Sequence, residues 1–155
     1  MVVSLSTECC LAVVCNDGDT LRTLLRKTST APHLLPVDRS ELLRTPLNSN
    51  GWVNFMIRNL SWMYTEMTLV HLAAHTNSFD AMRVLIECGA RVSLFAGIPN
   101  PGSYAPLTLA VRSEGLQTVK VLLDAFTTDV IPFISYAMKE AVRTLNCDVI
   151  ELLLQ

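Results

Sequence analysis

Residues 68–90 read TLVHLAAHTNSFDAMRVLIECGA, and the fold can be inferred from these residues. Two small residues, Ala73 and Ala74, precede a polar segment. Larger apolar residues then follow at the three-and-four spacing of an amphipathic helix: Met82, Leu85 and Ile86. The stretch therefore predicts a short helix around the alanines, a turn, and a second helix that carries the larger apolar side chains.

The same pattern occurs four times along the chain. Its anchor residues are Ala12, Ala73, Ala110 and Ala141, each followed by an apolar residue: Val13, Ala74, Val111 and Val142. Nine, twelve and thirteen residues beyond the anchors lie Leu21, Leu24, Leu25; Met82, Leu85, Ile86; Val119, Leu122, Leu123; and Ile150, Leu153, Leu154. Ten residues beyond each anchor alanine stands a charged residue that we expect to face solvent: Arg22, Arg83, Lys120 and Glu151. Such repetition indicates stacked helix pairs.

The second copy resembles an ankyrin repeat. Residues 68–74 stand where that family has T-P-L-H-x-A-A, and residues 80–90 are similar to its second helix and terminal Gly-Ala. A looser copy is APLTLA at 105–110, followed by VKVLLDA at 119–125. The resemblance implies an all-α, ankyrin-like α-solenoid in a single domain over residues 1–155. Its repeats would lie at 7–28, 66–90 and 105–126, with an incomplete repeat at 136–155.

The spacing of the repeats departs from the family pattern. Successive anchors are 61, 37 and 31 residues apart, against a family period of about 33. Segment 29–65 holds both tryptophans and, at Asp38–Glu41, the spacing of a capping box, so it is either a degenerate repeat or an insertion. Residues 91–104 are expected to form a long loop, and the apolar residues 127–135 a second connection.

The resemblance implies that partners bind through the loop fingers and the concave face of the first helices. The corresponding first-helix positions are His75, Thr76, Asn77, Ser78, Arg112, Ser113, Glu114, Arg143 and Thr144. The finger positions are the large apolar residues of the long loop: Phe95, Ile98 and Tyr104. The alternative for the polar residues is simple solvation of a helix edge. For the three apolar residues it is packing back onto the first helices.

Few residues suggest chemistry. His71 and His75 have the spacing of paired metal ligands, but the glutamate of H-E-x-x-H is missing and no third ligand is indicated. The resemblance implies that His71 hydrogen-bonds within its turn, and we expect His75 on the exposed side of the helix. The five cysteines contain no CxxC pair and are expected to be reduced and mostly buried. The sequence therefore predicts no enzyme activity, metal or cofactor, and a metal-dependent or cysteine enzyme is the distant alternative.

Composition limits the class of partner. The chain is 50% hydrophobic and 17% charged, with a formal net charge of −2. It has no dense basic run, so a nucleic-acid partner is not expected. The longest uncharged run, Val92–Val111, contains three prolines and predicts no membrane span. No basic residue precedes the apolar N-terminal stretch, so no signal peptide is predicted and we expect a cytoplasmic or nuclear protein binding another protein.

The fourth unit is crowded with apolar residues between Val149 and Leu154. Repeat arrays usually end in a unit whose outer face is polar. We therefore expect either a truncated form of a longer array, with further repeats C-terminal to it, or a partner that covers this end. Truncation leaves two readings open: the substrate-recognition part of a ubiquitin-ligase adaptor without its recruiting box, or a fragment with no function of its own.

Overall fold

A computed structural model describes residues 4–28, 68–92, 105–126 and 130–155. These residues form eight α-helices in four consecutive pairs, which we call units 1 to 4. The helices are α1 (Leu5–Val14) and α2 (Gly18–Arg26), α3 (Leu69–His75) and α4 (Phe79–Glu87), α5 (Pro106–Arg112) and α6 (Leu116–Ala125), and α7 (Ile131–Arg143) and α8 (Cys147–Leu154). The predicted all-α solenoid of helix pairs is confirmed.

The turn inside each unit has the same geometry. The N–H of the residue five beyond the anchor donates to the anchor carbonyl, at 2.8, 2.9, 3.0 and 3.0 Å in units 1 to 4. The residue before that donor has a positive φ, between 52° and 57°: Asn16, Asn77, Glu114 and Leu145. These are the features of a Schellman motif, which ends a helix and satisfies its last carbonyls. Each anchor alanine therefore lies in the last turn of its first helix.

The units stack in two layers. The first helices pack in the order α1, α3, α5, α7, and the second helices in the order α2, α4, α6, α8. All four anchor alanines are buried, because only a small side chain lets neighbouring first helices approach closely. The leucines twelve residues beyond the anchors are also buried: Leu24, Leu85, Leu122 and Leu153. The stack thus has one continuous core between its layers.

Units 1 and 2 are direct neighbours although 61 residues separate their anchors. Helix α1 packs on α3 and α2 packs on α4. The Arg22 guanidinium forms an ion pair with Glu87 of the next unit at 2.8 Å. Segment 29–65 itself lies outside the described residues, as does most of the loop 91–104.

The fourth unit begins earlier than the sequence analysis predicts. Helix α7 starts at Ile131, so residues 131–135 belong to a helix and the predicted connection 127–135 is wrong for that part. Pro132 lies in the first turn of α7, where a missing N–H breaks no intrahelical hydrogen bond. Helix α7 consequently has 13 residues, whereas α3 and α5 have 7 each.

Candidate interaction surface

The predicted first-helix positions lie where the first helices of units 2 to 4 end and their turns begin. We call this edge the turn ridge, and it consists of His75, Thr76, Asn77, Arg112, Ser113, Glu114, Arg143 and Thr144. Ser78 was predicted to belong to it, but the residue is only 1% exposed and its hydroxyl lies 2.7 Å from that of Thr76. The prediction is therefore wrong for Ser78, which is inaccessible to a partner.

Hydrogen bonds join the turn ridge of unit 2 to unit 3. The Ser113 hydroxyl donates to the His75 carbonyl at 2.7 Å. The Thr118 hydroxyl donates to Oδ1 of Asn77 at 2.7 Å. A Cβ atom on Gly115 would clash with the same Asn77 oxygen, so this position of the Asn77 side chain, and with it the hydrogen bond from Thr118, depends on glycine there. Parts of the turn ridge are thus fixed by contacts between units.

A partly buried carboxylate joins unit 3 to unit 4. Oε1 of Glu140 accepts from Arg112 Nε at 3.1 Å and from a terminal guanidinium nitrogen of Arg143 at 2.6 Å. The Glu140 side chain is 11% exposed, whereas that of Arg143 is 66% exposed. The hydrogen bond from Arg143 and the charge of Arg112 hold the pKa of Glu140 below its usual range. Two guanidinium groups therefore meet one carboxylate, which leaves excess positive charge at this part of the ridge.

Glu140 was not among the site residues predicted from the sequence, although the repeat pattern contains the signal. The residue before each anchor is Leu11, Leu72 and Leu109 in units 1 to 3, and it is Glu140 in unit 4. A carboxylate in a column of leucines at the interface between units requires a charged partner. Arg112 and Arg143 are those partners.

His75 is half-buried, which corrects the expectation that it lies on the exposed side of α3. Burial and the nearby charge of Arg112 lower its pKa to about 4. His75 is therefore neutral at pH 7. As a ridge residue it contributes a polar ring without charge, beside the guanidinium of Arg112.

His71 hydrogen-bonds at the start of α3, as the resemblance implies. Its Nδ1 accepts from the Thr68 N–H at 3.2 Å and lies 2.9 Å from the Thr68 hydroxyl. Burial lowers the pKa of His71 to about 4, and its Nε2 is buried with no hydrogen-bond partner among the described residues. This ring stabilises a turn and is inaccessible as a ligand. Within the described ranges, no group of three or more His, Cys, Asp or Glu side chains is placed to hold a metal ion.

The cysteines divide into two groups. Cys9 and Cys10 are buried, as predicted, but the expectation of burial is wrong for Cys15, Cys88 and Cys147, which are exposed. They occupy helix ends and turns, where side chains leave the interface between units. Burial, together with the charge of Glu8, raises the pKa of Cys9 to about 11, which is unfavourable for a nucleophilic thiolate.

The predicted finger residues Phe95, Ile98 and Tyr104 lie outside the described residues. None of the helices in the described part of the chain is long and apolar enough to cross a membrane.

A family model for ankyrin repeats, in three copies, matches residues 10–132. The match covers well over half of the chain. The protein belongs to the ankyrin-repeat family. Unit 4 lies almost wholly beyond the match, yet it has the same internal turn and packs on unit 3 of this ankyrin array. No curated protein matches the sequence. Ankyrin repeats are generally protein–protein interaction modules and are typically non-catalytic.

Proposed function

We propose that this ankyrin-repeat domain is a non-catalytic interaction module that binds a partner protein through the turn ridge and the loop fingers. One observation carries the proposal. Polar side chains from three successive units are held side by side by hydrogen bonds and ion pairs between the units. A surface that is already ordered loses little conformational entropy on binding, and that saving favours affinity.

The chemistry of the ridge suits recognition of a polar protein segment. Arg143 and Glu114 are its exposed charged residues, and they lie on neighbouring units. Opposite charges close together favour one orientation of a partner and disfavour others. The positive charge around Glu140 adds a position for a partner carboxylate, because a guanidinium can bind two oxygens at once.

The remaining parts of the proposal come from the sequence. Phe95, Ile98 and Tyr104 would supply apolar contacts beside the polar ridge, as buried centres of interfaces do. We propose a scaffold or adaptor role in the cytoplasm or nucleus, with neither nucleic acid nor membrane as partner. An array of this kind holds a partner and performs no reaction on it.

Quantitative affinity capture with the purified chain tests the proposal. The double variant Glu114→Ala with Arg143→Ala should reduce recovery of specific partners at least tenfold, corresponding to about 1.4 kcal/mol. Arg143→Ala leaves the Arg112–Glu140 ion pair in place, so the fold should persist. The matched control removes one acidic and one basic residue from the exposed stripe of the second helices, Lys120→Ala with Glu151→Ala, and should leave recovery unchanged.

A second variant tests the fingers, with Phe95, Ile98 and Tyr104 each replaced by Ser. Loss of partners in this variant alone would assign recognition to the loop. Equal recovery from both test variants and the wild type would refute the proposed surface as a whole.

A further inference from the structure

Glu140 stands at the position before the anchor alanine of unit 4. Units 1 to 3 have leucine at this position, and Leu72 and Leu109 are fully buried there. The Glu140 side chain is 11% exposed, so it starts from the same interface between units. Its carboxylate meets Arg112 and Arg143 at the turn ridge. An interface position of the repeat is thus connected directly to the surface proposed for binding.

One edge of the Arg143 guanidinium is bound to Glu140. The Nε and Nη2 atoms of Arg143 donate to Oε1 of Glu140 at 3.3 and 2.6 Å. A guanidinium carries donors on more than one edge, so the edge formed by Nη1 and Nη2 still has hydrogens to donate. Within the described part of the chain, Arg143 makes no other hydrogen bond or ion pair, and its side chain is 66% exposed. That second edge can pair with a carboxylate through two parallel hydrogen bonds.

Glu140 restricts the direction in which this second edge points. An exposed arginine side chain otherwise samples many rotamers, and a partner that binds it has to immobilise it. The carboxylate of Glu140 is itself held by Arg112 Nε at 3.1 Å. The backbone of Glu140 belongs to the last turn of α7, where its carbonyl accepts from the Thr144 N–H at 3.0 Å. An arginine that is oriented in this way loses less freedom when a partner binds.

The surrounding charges favour a carboxylate over a phosphate group as the ligand. Glu140 already places one negative charge against Arg143, and Glu114 is an exposed carboxylate on the neighbouring unit. The whole chain has a formal net charge of −2. A phosphate group carries more negative charge than a carboxylate, so these charges repel it more strongly. The ligand that fits best is the side chain of an aspartate or glutamate.

We propose that Glu140 is a positioning residue that holds the Arg143 guanidinium ready for a carboxylate in an acidic segment of the partner protein. The inference rests on the proposed function, because it specifies the chemistry of a partner at the turn ridge. Removal of the Glu140 carboxylate distinguishes this role from an effect of net charge. The ridge becomes more positive, which strengthens binding of an acidic segment if charge alone matters and weakens it if the orientation of Arg143 matters.

A display library of random linear peptides, selected on the immobilised full chain, provides the probe. Fluorescence anisotropy then measures the dissociation constant of each recovered peptide. The peptides should share an aspartate or glutamate whose replacement by asparagine or glutamine weakens binding about tenfold. Arg143→Ala and Glu140→Leu should each weaken binding by about the same factor. The matched control Arg83→Ala removes an exposed arginine of α4 and should leave binding unchanged.

Glu140→Leu introduces the residue that the other three units have at this position, so the variant should fold. Thermal unfolding followed by circular dichroism checks this. A double-mutant cycle then separates positioning from a purely structural role. In the wild type, Arg143→Ala and loss of the peptide carboxylate should be strongly non-additive, because both remove the same contact. In the Glu140→Leu background this coupling should largely disappear, whereas a purely structural role of Glu140 would leave it intact.

Any of three results would overturn the inference. They are binding by Glu140→Leu that equals or exceeds that of the wild type, coupling between Arg143 and the peptide carboxylate that persists in this variant, and tighter binding when phosphoserine replaces the acidic residue. Peptides that depend on Glu114 or Thr144, but on neither Glu140 nor Arg143, would refute the inference and leave the proposed function standing. Recovery of no peptide that depends on the turn ridge would refute both.

Discussion

Asn16 links two units through a cap that one unit provides for the next. Its Oδ1 accepts from the backbone N–H groups of Asp80 and Ala81 at 3.0 and 3.1 Å, and its Nδ2 donates to the Asp80 carboxylate at 3.2 Å. These N–H groups belong to the first turn of α4, whose own N-cap, Ser78, makes no side-chain capping bond. Asn16 also has a φ of 52°, which asparagine tolerates better than most residues.

The two contributions can be separated by two substitutions. Asn16→Gly keeps the backbone conformation accessible but removes the cap, which should cost about 1 kcal/mol of unfolding free energy. Asn16→Ala removes the same cap and also places in the left-handed region a residue that tolerates it less well than asparagine, which adds roughly 1 kcal/mol. We therefore expect a loss of about 2 kcal/mol for alanine and about half of that for glycine.

Urea unfolding followed by far-UV circular dichroism measures both losses. Glu114→Gly is the matched control, because Glu114 has the same backbone conformation at φ 57° and is exposed. That change should raise stability by about 0.5 kcal/mol through relief of strain. If alanine and glycine at position 16 both stayed within about 0.3 kcal/mol of the wild type, the cap between units would contribute nothing and the reasoning would fail.

Three further predictions concern the buried histidine, the contact at Gly115 and the segment between units 1 and 2. The pKa of His71 is about 4 in the folded chain and near 6.5 in the unfolded one, so the unfolded state takes up protons first on acidification. The free energy of unfolding that neutral His71 contributes is complete well above pH 6.5 and should be smaller by roughly 2 kcal/mol at pH 5. Urea unfolding at each pH measures this loss. In His71→Gln the free energy of unfolding should fall less steeply as the pH is lowered. Gly115→Ala should lower the free energy of unfolding by about 1–2 kcal/mol, because the added methyl group displaces the Asn77 side chain from Thr118. In a double-mutant cycle, the same change made in the Asn77→Gly background should cost much less. Residues 29–67 can be replaced by a connection as short as Phe126–Val130, which joins α6 to α7. The shortened chain should still unfold cooperatively, because units 1 and 2 already pack on each other. Loss of cooperative unfolding would identify the removed segment as a repeat.

The sequence predicted the parts of the fold that depend on burial along a single helix pair. The anchor alanines and the leucines twelve residues beyond them were identified from spacing alone, and they are buried. This works because each unit must present small side chains on its first helix and large ones on its second, whatever the neighbouring unit is. Even the turn could be located, since the anchor carbonyl accepts the same hydrogen bond in all four units.

The contacts between units could not be predicted in the same way. A spacing of 61 residues leaves open whether unit 1 packs on unit 2, and only that neighbourhood gives Asn16 its role. The start of α7 was misjudged because Pro132 is as compatible with a connection as with the first turn of a helix. Burial of Ser78 and half-burial of His75 likewise depend on how closely unit 3 packs on unit 2.

The interfaces between units change in chemistry along the stack, from the asparagine bonds of units 1 and 2 to the ion pairs of units 3 and 4. Asn16 and Asn77 occupy equivalent turn positions and bond to the next unit, but Glu114 is exposed and Leu145 is 81% exposed. Units 3 and 4 are held instead by the charges around Glu140, at the position where the other units have leucine. Both arginines that pair with Glu140, Arg112 and Arg143, are residues of the turn ridge. The altered position of the repeat therefore joins units 3 and 4 at the ridge itself, through charges of opposite sign.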